Sequence, residues 1–164
     1  MLDEEEFARD EFMPYWAELW PAALALAHAL PARLDGVRIV EVGAGLGVPS
    51  LVAAARGGEV TAVDWASDAI ELLVQNAARN GLGLTPLHAD WRTLRGTFAL
   101  ALGADLLYEE RNIQPLLELL PQLATEVLLA EPGRPHAAGF FRCARERWQI
   151  EEFADRVYRL TRRS

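Results

Sequence analysis

Several residues in the first half of the chain have types and spacing that suit holding a nucleoside. The stretch Glu41-Val-Gly-Ala-Gly-Leu-Gly47 sets an acid two residues ahead of Gly43, with Gly45 and Gly47 following in alternation. A strand that runs into such a loop brings main-chain N–H groups close to a ligand, and glycine permits the approach. The loop alone is open to a dinucleotide, a nucleoside triphosphate or S-adenosylmethionine. Further on comes Asp64 with Trp65 behind it, and Asp90-Trp91 repeats the pairing. A carboxylate at the end of a second strand accepts hydrogen bonds from ribose hydroxyls. The other would accept from the exocyclic amine of an adenine, with indoles and apolar neighbours covering the flat base. Either aspartate alone reads as a helix cap or turn residue. Their joint placement at the ends of neighbouring strands points to adenosine.

Adenosine is common to NAD, ATP and S-adenosylmethionine, and three further residue facts bear on the choice. Val48 stands where the dinucleotide fingerprint G-x-G-x-x-G wants its last glycine. All 16 basic residues are arginine, so neither a phosphate-loop lysine nor a Schiff-base lysine exists. Glu41 would repel a phosphate, and an acid at the end of a buried strand is costly without a partner. A cofactor without pyrophosphate, S-adenosylmethionine, is favoured. One cysteine and three scattered histidines supply no metal-ligand cluster, so no metal is expected.

These residues need a scaffold, and hydrophobic periodicity supplies its outline. Helices are expected over 20–30, 49–56, 67–80, 112–120 and 134–147, the third capped by Ser67 and Gly81. Strands are expected over 37–42, 60–64, 84–88, 97–103 and 126–130, followed by a hairpin of 148–153 and 156–161 turning at 154–155. Alternating strands and helices predict a three-layer, doubly wound, Rossmann-like α/β sheet, mostly parallel, with an antiparallel strand from the C-terminal hairpin. Residues 1–164 are expected to form one domain with a short N-terminal arm over 1–18.

Composition narrows the partners. The chain is 51% hydrophobic and 24% charged with a formal net charge of -8, which offers no global footprint for nucleic acid and suits a basic substrate better. The longest apolar stretch, 19–30, is interrupted by Pro21 and His28 and is too short to span a bilayer. With the acidic start Asp3-Glu-Glu-Glu6 arguing against a secretory signal, a cytoplasmic location is expected.

Taken together, Glu41 to Gly47, Asp64, Asp90-Trp91 and the terminal hairpin resemble the seven-strand, class I S-adenosylmethionine-dependent methyltransferases over nearly the whole chain. The stretch Pro14-Tyr-Trp-Ala-Glu-Leu-Trp20 and the tetrad Asp105-Leu-Leu-Tyr108 resemble, more narrowly, the protein lysine methyltransferases that carry a D-x-x-Y motif. The resemblance implies cofactor contacts from Trp20, Glu41, Gly43, Gly45, Gly47, Asp64, Trp65, Asp90, Trp91 and Ala104. It implies that Asp105 orients the incoming amine or relays its proton, and that Tyr108 adds a hydroxyl or ring face. Tyr15 or Trp16 would line an acceptor channel. Pro132-Gly-Arg-Pro135 is expected to be a rigid turn with Arg134 exposed. The implied partner is a protein with an accessible lysine. A small-molecule N- or O-methyltransferase, a non-catalytic adenosine-cofactor binder and a nicotinamide-dependent reductase are the alternatives.

Overall fold

A computed structural model describes residues 17–163. The expected arm over 1–18, with Tyr15 and Trp16, therefore lies almost wholly outside the described residues. Seven strands form one sheet in the order β3-β2-β1-β4-β5-β7-β6. They are β1 (Arg38–Val42), β2 (Glu59–Asp64), β3 (Thr85–His88), β4 (Phe98–Ala104), β5 (Ala124–Ala130), β6 (Trp148–Ala154) and β7 (Val157–Arg162). The first five pair in parallel, and β7 is antiparallel to both its neighbours, β5 and β6. The expected mostly parallel sheet with one reversed C-terminal strand is what the chain forms.

The helices are α1 (Pro21–Ala29), α2 (Val48–Ala55), α3 (Ser67–Arg79), α4 (Ile113–Leu123) and α5 (Ala137–Ala144). Alternate strand residues point to opposite faces of a sheet, and the packing follows that parity. Ile39, Leu100, Leu102 and Leu128 join Leu26 of α1 and Ala53 of α2 in one cluster. Val40, Ala101, Val127 and Leu129 join Leu116 and Leu120 of α4 and Phe140 of α5 in the other. Leu73 of α3 packs with Ala62 of β2 and Ala44. The result is three layers, because strands buried on both faces need helices on each.

Some boundaries differ from expectation, each for a local reason. Ser67 is the first residue of α3 rather than its cap; Ala66 holds the cap position, and its N–H is satisfied by Asp64. At the other end Gly81, with φ 65°, closes the helix as expected: its N–H reaches Ala78 O and the Leu82 N–H reaches Ala77 O. Helix α4 continues past Leu120 through Pro121 because Leu120 and Leu123 are both buried. Helix α5 starts only at Ala137, since the preceding residues form a turn bonded to Glu131. The hairpin turns one residue later than expected, at Asp155-Arg156, with Arg156 at φ 54°.

Candidate active site

Parallel strands end at one edge of a sheet, so the loops after β1 to β5 collect there. The loop at 43–47 is left-handed at all three glycines, with φ of 65°, 51° and 74°. At Gly47 a side chain is also sterically barred: a Cβ would lie 2.0 Å from Leu73 Cδ1. The loop is held by an acid, as the Gly45 N–H donates to Asp64 Oδ2 at 2.8 Å and the Ala66 N–H to Asp64 Oδ1 at 2.9 Å. Asp64 thus joins the first two strand ends, and each of its oxygens keeps a second lone pair for a ligand.

Glu41 is buried and its Oε2 accepts from the Ser50 N–H at 2.9 Å and from the Ser50 hydroxyl. Ser50 is in the first turn of α2, whose free N–H groups are what phosphate-binding loops turn toward an anion. Here one of those donors is given to the carboxyl group of Glu41. Burial pushes the Glu41 carboxyl up from 4.5 to about 8, against the two Ser50 hydrogen bonds and helped by the charge of Asp64. Between those values the folded chain keeps a proton that the unfolded chain has lost. Stability should therefore fall as pH rises through that interval, by at most about 1.4 kcal/mol per pH unit, and level off above it. Glu41→Gln should flatten the profile, which thermal melts across the interval will reveal; parallel wild-type and variant curves would contradict this account.

The two Asp-Trp pairs are presented in opposite ways. Asp64 is 4% exposed and Trp65 68% exposed. Asp90 is exposed and caps a short 3-10 turn, Trp91–Thr93, through the Arg92 N–H at 3.0 Å, whereas Trp91 is buried in the same cluster as Val42 and Val63. Trp91 therefore supports the edge from beneath, and Trp65 offers a free ring above it.

In the tetrad at 105–108 two polar side chains flank two apolar anchors. Leu106 and Leu107 are buried, so Asp105 and Tyr108 are directed by two core side chains between them. Leu106 packs closely on Gly103 and Gly43, where a Cβ would come within 2.5 Å and 3.1 Å of its methyl carbons. Asp105 adopts φ 54°, a left-handed conformation that costs free energy in a non-glycine residue and is common at functional sites. Its N–H is fixed on Ala130 O at 2.9 Å. Burial, then the charge of Glu109, raises the Tyr108 pKa against a hydrogen bond with Asn112, which leaves the hydroxyl protonated at neutral pH. Asn112 is buried and donates to Leu106 O at 3.1 Å, tying the tetrad to the start of α4.

Trp20, Pro21 and Ala22 face Asp105 and residues 132–135 across a cavity of about 340 Å³. The structure therefore brings Trp20 to Asp105, and Asp64 to the glycine loop. Ala104 ends β4 beside Ala130. Arg134 corrects the expectation of an exposed turn residue: its Nε and Nη2 bind Asp105 Oδ1 and Oδ2 at 2.8 and 2.6 Å. Glu131 is buried, and its Oε1 accepts from the Gly133 N–H at 2.7 Å and from the Arg134 N–H. Burial chiefly, and the charge of Asp105 in addition, raises the Glu131 pKa against those hydrogen bonds. Ser50, Asn112, Glu131 and Arg134 were not singled out as site residues from sequence. Their position at a strand end or in a first helical turn along this edge is the signal that would have found Ser50 and Glu131; Arg134, in the loop between β5 and α5, carries no such signal.

A lysine methyltransferase family model matches residues 15–142. The chain is 30% identical over 116 residues to EEF1A lysine methyltransferase 3 of Mus musculus, covering 65% of this chain and 50% of that protein. It is 30% identical over 131 residues to the electron transfer flavoprotein beta subunit lysine methyltransferase of Danio rerio, covering 74% and 51%. The chain thus spans about half the length of these curated relatives. Its fold matches magnesium protoporphyrin IX methyltransferase from Synechocystis PCC 6803, solved with bound SAM, at TM-score 0.72 and 16% identity over 99% of both chains.

Proposed function

We propose that this chain, which belongs to the lysine methyltransferase family, transfers a methyl group from S-adenosylmethionine to the ε-amine of a lysine on a protein partner. The observation that carries the cofactor is that acidic side chains take N–H groups that phosphate binders leave open to their ligand: Gly45 donates to Asp64 and Ser50 to Glu41. That donor set fits a cofactor with ribose and adenine but no pyrophosphate. Asp64 would hold the ribose through its remaining lone pairs, with the glycine loop of Gly43, Gly45 and Gly47 and Glu41 as the floor below. Asp90 and Trp65 would frame the adenine with Trp91 supporting that edge from beneath, and Trp20 and Ala104 would lie toward the methionine end. When bound there, S-adenosylmethionine supplies an electrophilic methyl carbon on a cationic sulfur.

The chain's own work is then positioning and proton handling. A lysine ammonium has an ordinary pKa of about 10.4 and must lose a proton before it can act as a nucleophile. Asp105, rigidly held between Leu106 and Ala130, would align the amine and relay that proton. Tyr108, half exposed and hydrogen-bonded to Asn112, would add a neutral hydroxyl or ring face. Closure of the cavity between Trp20 and residues 132–135 would keep water from competing.

S-adenosylhomocysteine should raise the melting temperature of the protein while NAD and NADP do not, and Asp64→Ala should weaken that stabilisation. Stabilisation by NAD alone would overturn the cofactor assignment. A cavity of about 340 Å³ also has the size of a small-molecule site, which makes a small amine or hydroxyl acceptor the second reading. Labelled cofactor incubated with a lysate, followed by mapping of the labelled residue, decides between them.

The net charge of -8 supports a basic protein partner rather than nucleic acid, and predicts methylation that slows as salt rises. A salt-independent specificity constant would count against that partner. Among the described residues no helix is long and apolar enough to cross a membrane. With Cys143 an exposed free thiol, a cytoplasmic setting fits best. One domain over 1–164 fits the single sheet that residues 17–163 build.

A further inference from the structure

Asp105, the residue that would receive the acceptor amine, has both carboxylate oxygens engaged by a cation of the same chain. Arg134 Nε and Nη2 lie 2.8 and 2.6 Å from Oδ1 and Oδ2, and the Arg134 side chain is 36% exposed. The loop that carries Arg134 is held from behind by the hairpin turn. The Arg156 guanidinium donates to Pro132 O at 2.6 Å, and the Glu131 N–H donates to Arg156 O at 2.9 Å. Within the loop, Glu131 Oε1 accepts two N–H groups, while Glu131 Oε2 is buried with no hydrogen-bond partner. Asp105, Glu131 and Arg134 thus form a group of two acids and one base beside the cavity that Trp20 also lines.

We propose that Arg134 is a positioning residue that occupies the place of the acceptor ammonium, and that an incoming lysine displaces it from Asp105 onto the unpaired oxygen of Glu131. The inference rests on the amine-methylating reading given above and names how that site selects a primary ammonium. An arginine suits the task for a chemical reason. Its guanidinium is permanently protonated and has no free nucleophilic lone pair, so it can occupy Asp105 without being methylated itself. A lysine there would be a substrate, and this chain contains no lysine at all. The Arg134 side of the pair is partly exposed while Asp105 is buried, so an incoming ammonium exchanges one cation on the carboxylate for another rather than leaving a buried charge bare. The second acid explains where the guanidinium goes, since leaving Oε2 unsatisfied in the resting arrangement otherwise serves nothing.

Two readouts on substituted chains test this. In Arg134→Lys, the sole lysine of the chain lies at Asp105. On incubation with S-adenosylmethionine, the introduced ammonium would pass its proton through Asp105 to water. Its nitrogen lone pair would then form the N–C bond as the S–C bond breaks, with that electron pair remaining on sulfur to give S-adenosylhomocysteine. Tandem mass spectrometry should find methyl increments on residue 134, and the double variant Asp105→Asn, Arg134→Lys should show none there.

The second readout needs no turnover. With S-adenosylhomocysteine present, n-butylammonium binding followed by NMR should be about tenfold tighter in Arg134→Met than in wild type, if the guanidinium covers Asp105 in about nine molecules of ten. Glu131→Gln, which removes the charge that receives the guanidinium, should instead weaken n-butylammonium binding. Equal n-butylammonium affinity in wild type and Arg134→Met would overturn the proposal and leave the cofactor reading intact. So would the absence of methyl groups at position 134 of Arg134→Lys, in a sample that S-adenosylhomocysteine still stabilises. Failure of S-adenosylhomocysteine to stabilise even the wild type would overturn both.

Discussion

Asp105→Asn is expected to lower methyl transfer by about 10²- to 10⁴-fold, the range for removing a positioned acid-base group, while leaving S-adenosylhomocysteine binding essentially intact. Asparagine is close to isosteric, tolerates the left-handed backbone that Asp105 adopts at φ 54°, and can still accept a hydrogen bond from Arg134. What it loses is the negative charge that would align an ammonium and take its proton. The glycine loop and Asp64 sit on β1 and β2, and their hydrogen bonds do not involve Asp105. Binding and turnover should therefore separate. Transfer of label from S-adenosylmethionine to lysate proteins measures turnover, and a melting-temperature titration with S-adenosylhomocysteine measures binding. Full turnover in the variant would remove Asp105 from the chemistry.

Gly47→Ala should destabilise the fold by about 2–5 kcal/mol, from two separate causes. A left-handed backbone at φ 74° costs a residue with a Cβ about 1–2 kcal/mol. The new methyl would also lie 2.0 Å from Leu73 Cδ1, and Leu73 is fully buried against Ala44 and Ala62, so relief requires a shift in a packed cluster, at about 1–3 kcal/mol. The two causes can be separated by a cycle with Leu73→Ala. If the steric cause operates, the double variant should be less destabilised than the sum of the single ones, because the cavity left by Leu73 admits the added methyl. Urea unfolding supplies all the values. Strict additivity would mean that the backbone cost alone accounts for the loss. Cofactor affinity should fall in the same variant, since Gly47 caps the helix whose Ser50 holds Glu41.

The amino-acid sequence alone determined the features that are local in the chain. Alternation and helical spacing outlined the strands and helices of a three-layer sheet, because each element is encoded by which of its own residues are apolar. The glycines at 43, 45 and 47 and the acids Asp64, Asp90 and Asp105 were legible as strand-end residues for the same reason, and strand ends in a parallel sheet share one edge. The reversed last strand was legible in two adjacent alternating runs that only a tight turn can join. What remained hidden was every pairing that depends on two elements meeting. Ser50 satisfies Glu41 only because α2 packs back on β1, and Trp65 and Trp91, each behind an aspartate, ended on opposite sides of the solvent boundary. Arg134 finds Asp105 across 29 residues, a distance closed by the pairing of β4 with β5. Such contacts are set by strand order, register and side-chain reach, none of which a local pattern contains. The candidate residues at the strand ends are therefore written in the chain, while the partner already on Asp105 is a property of the folded sheet.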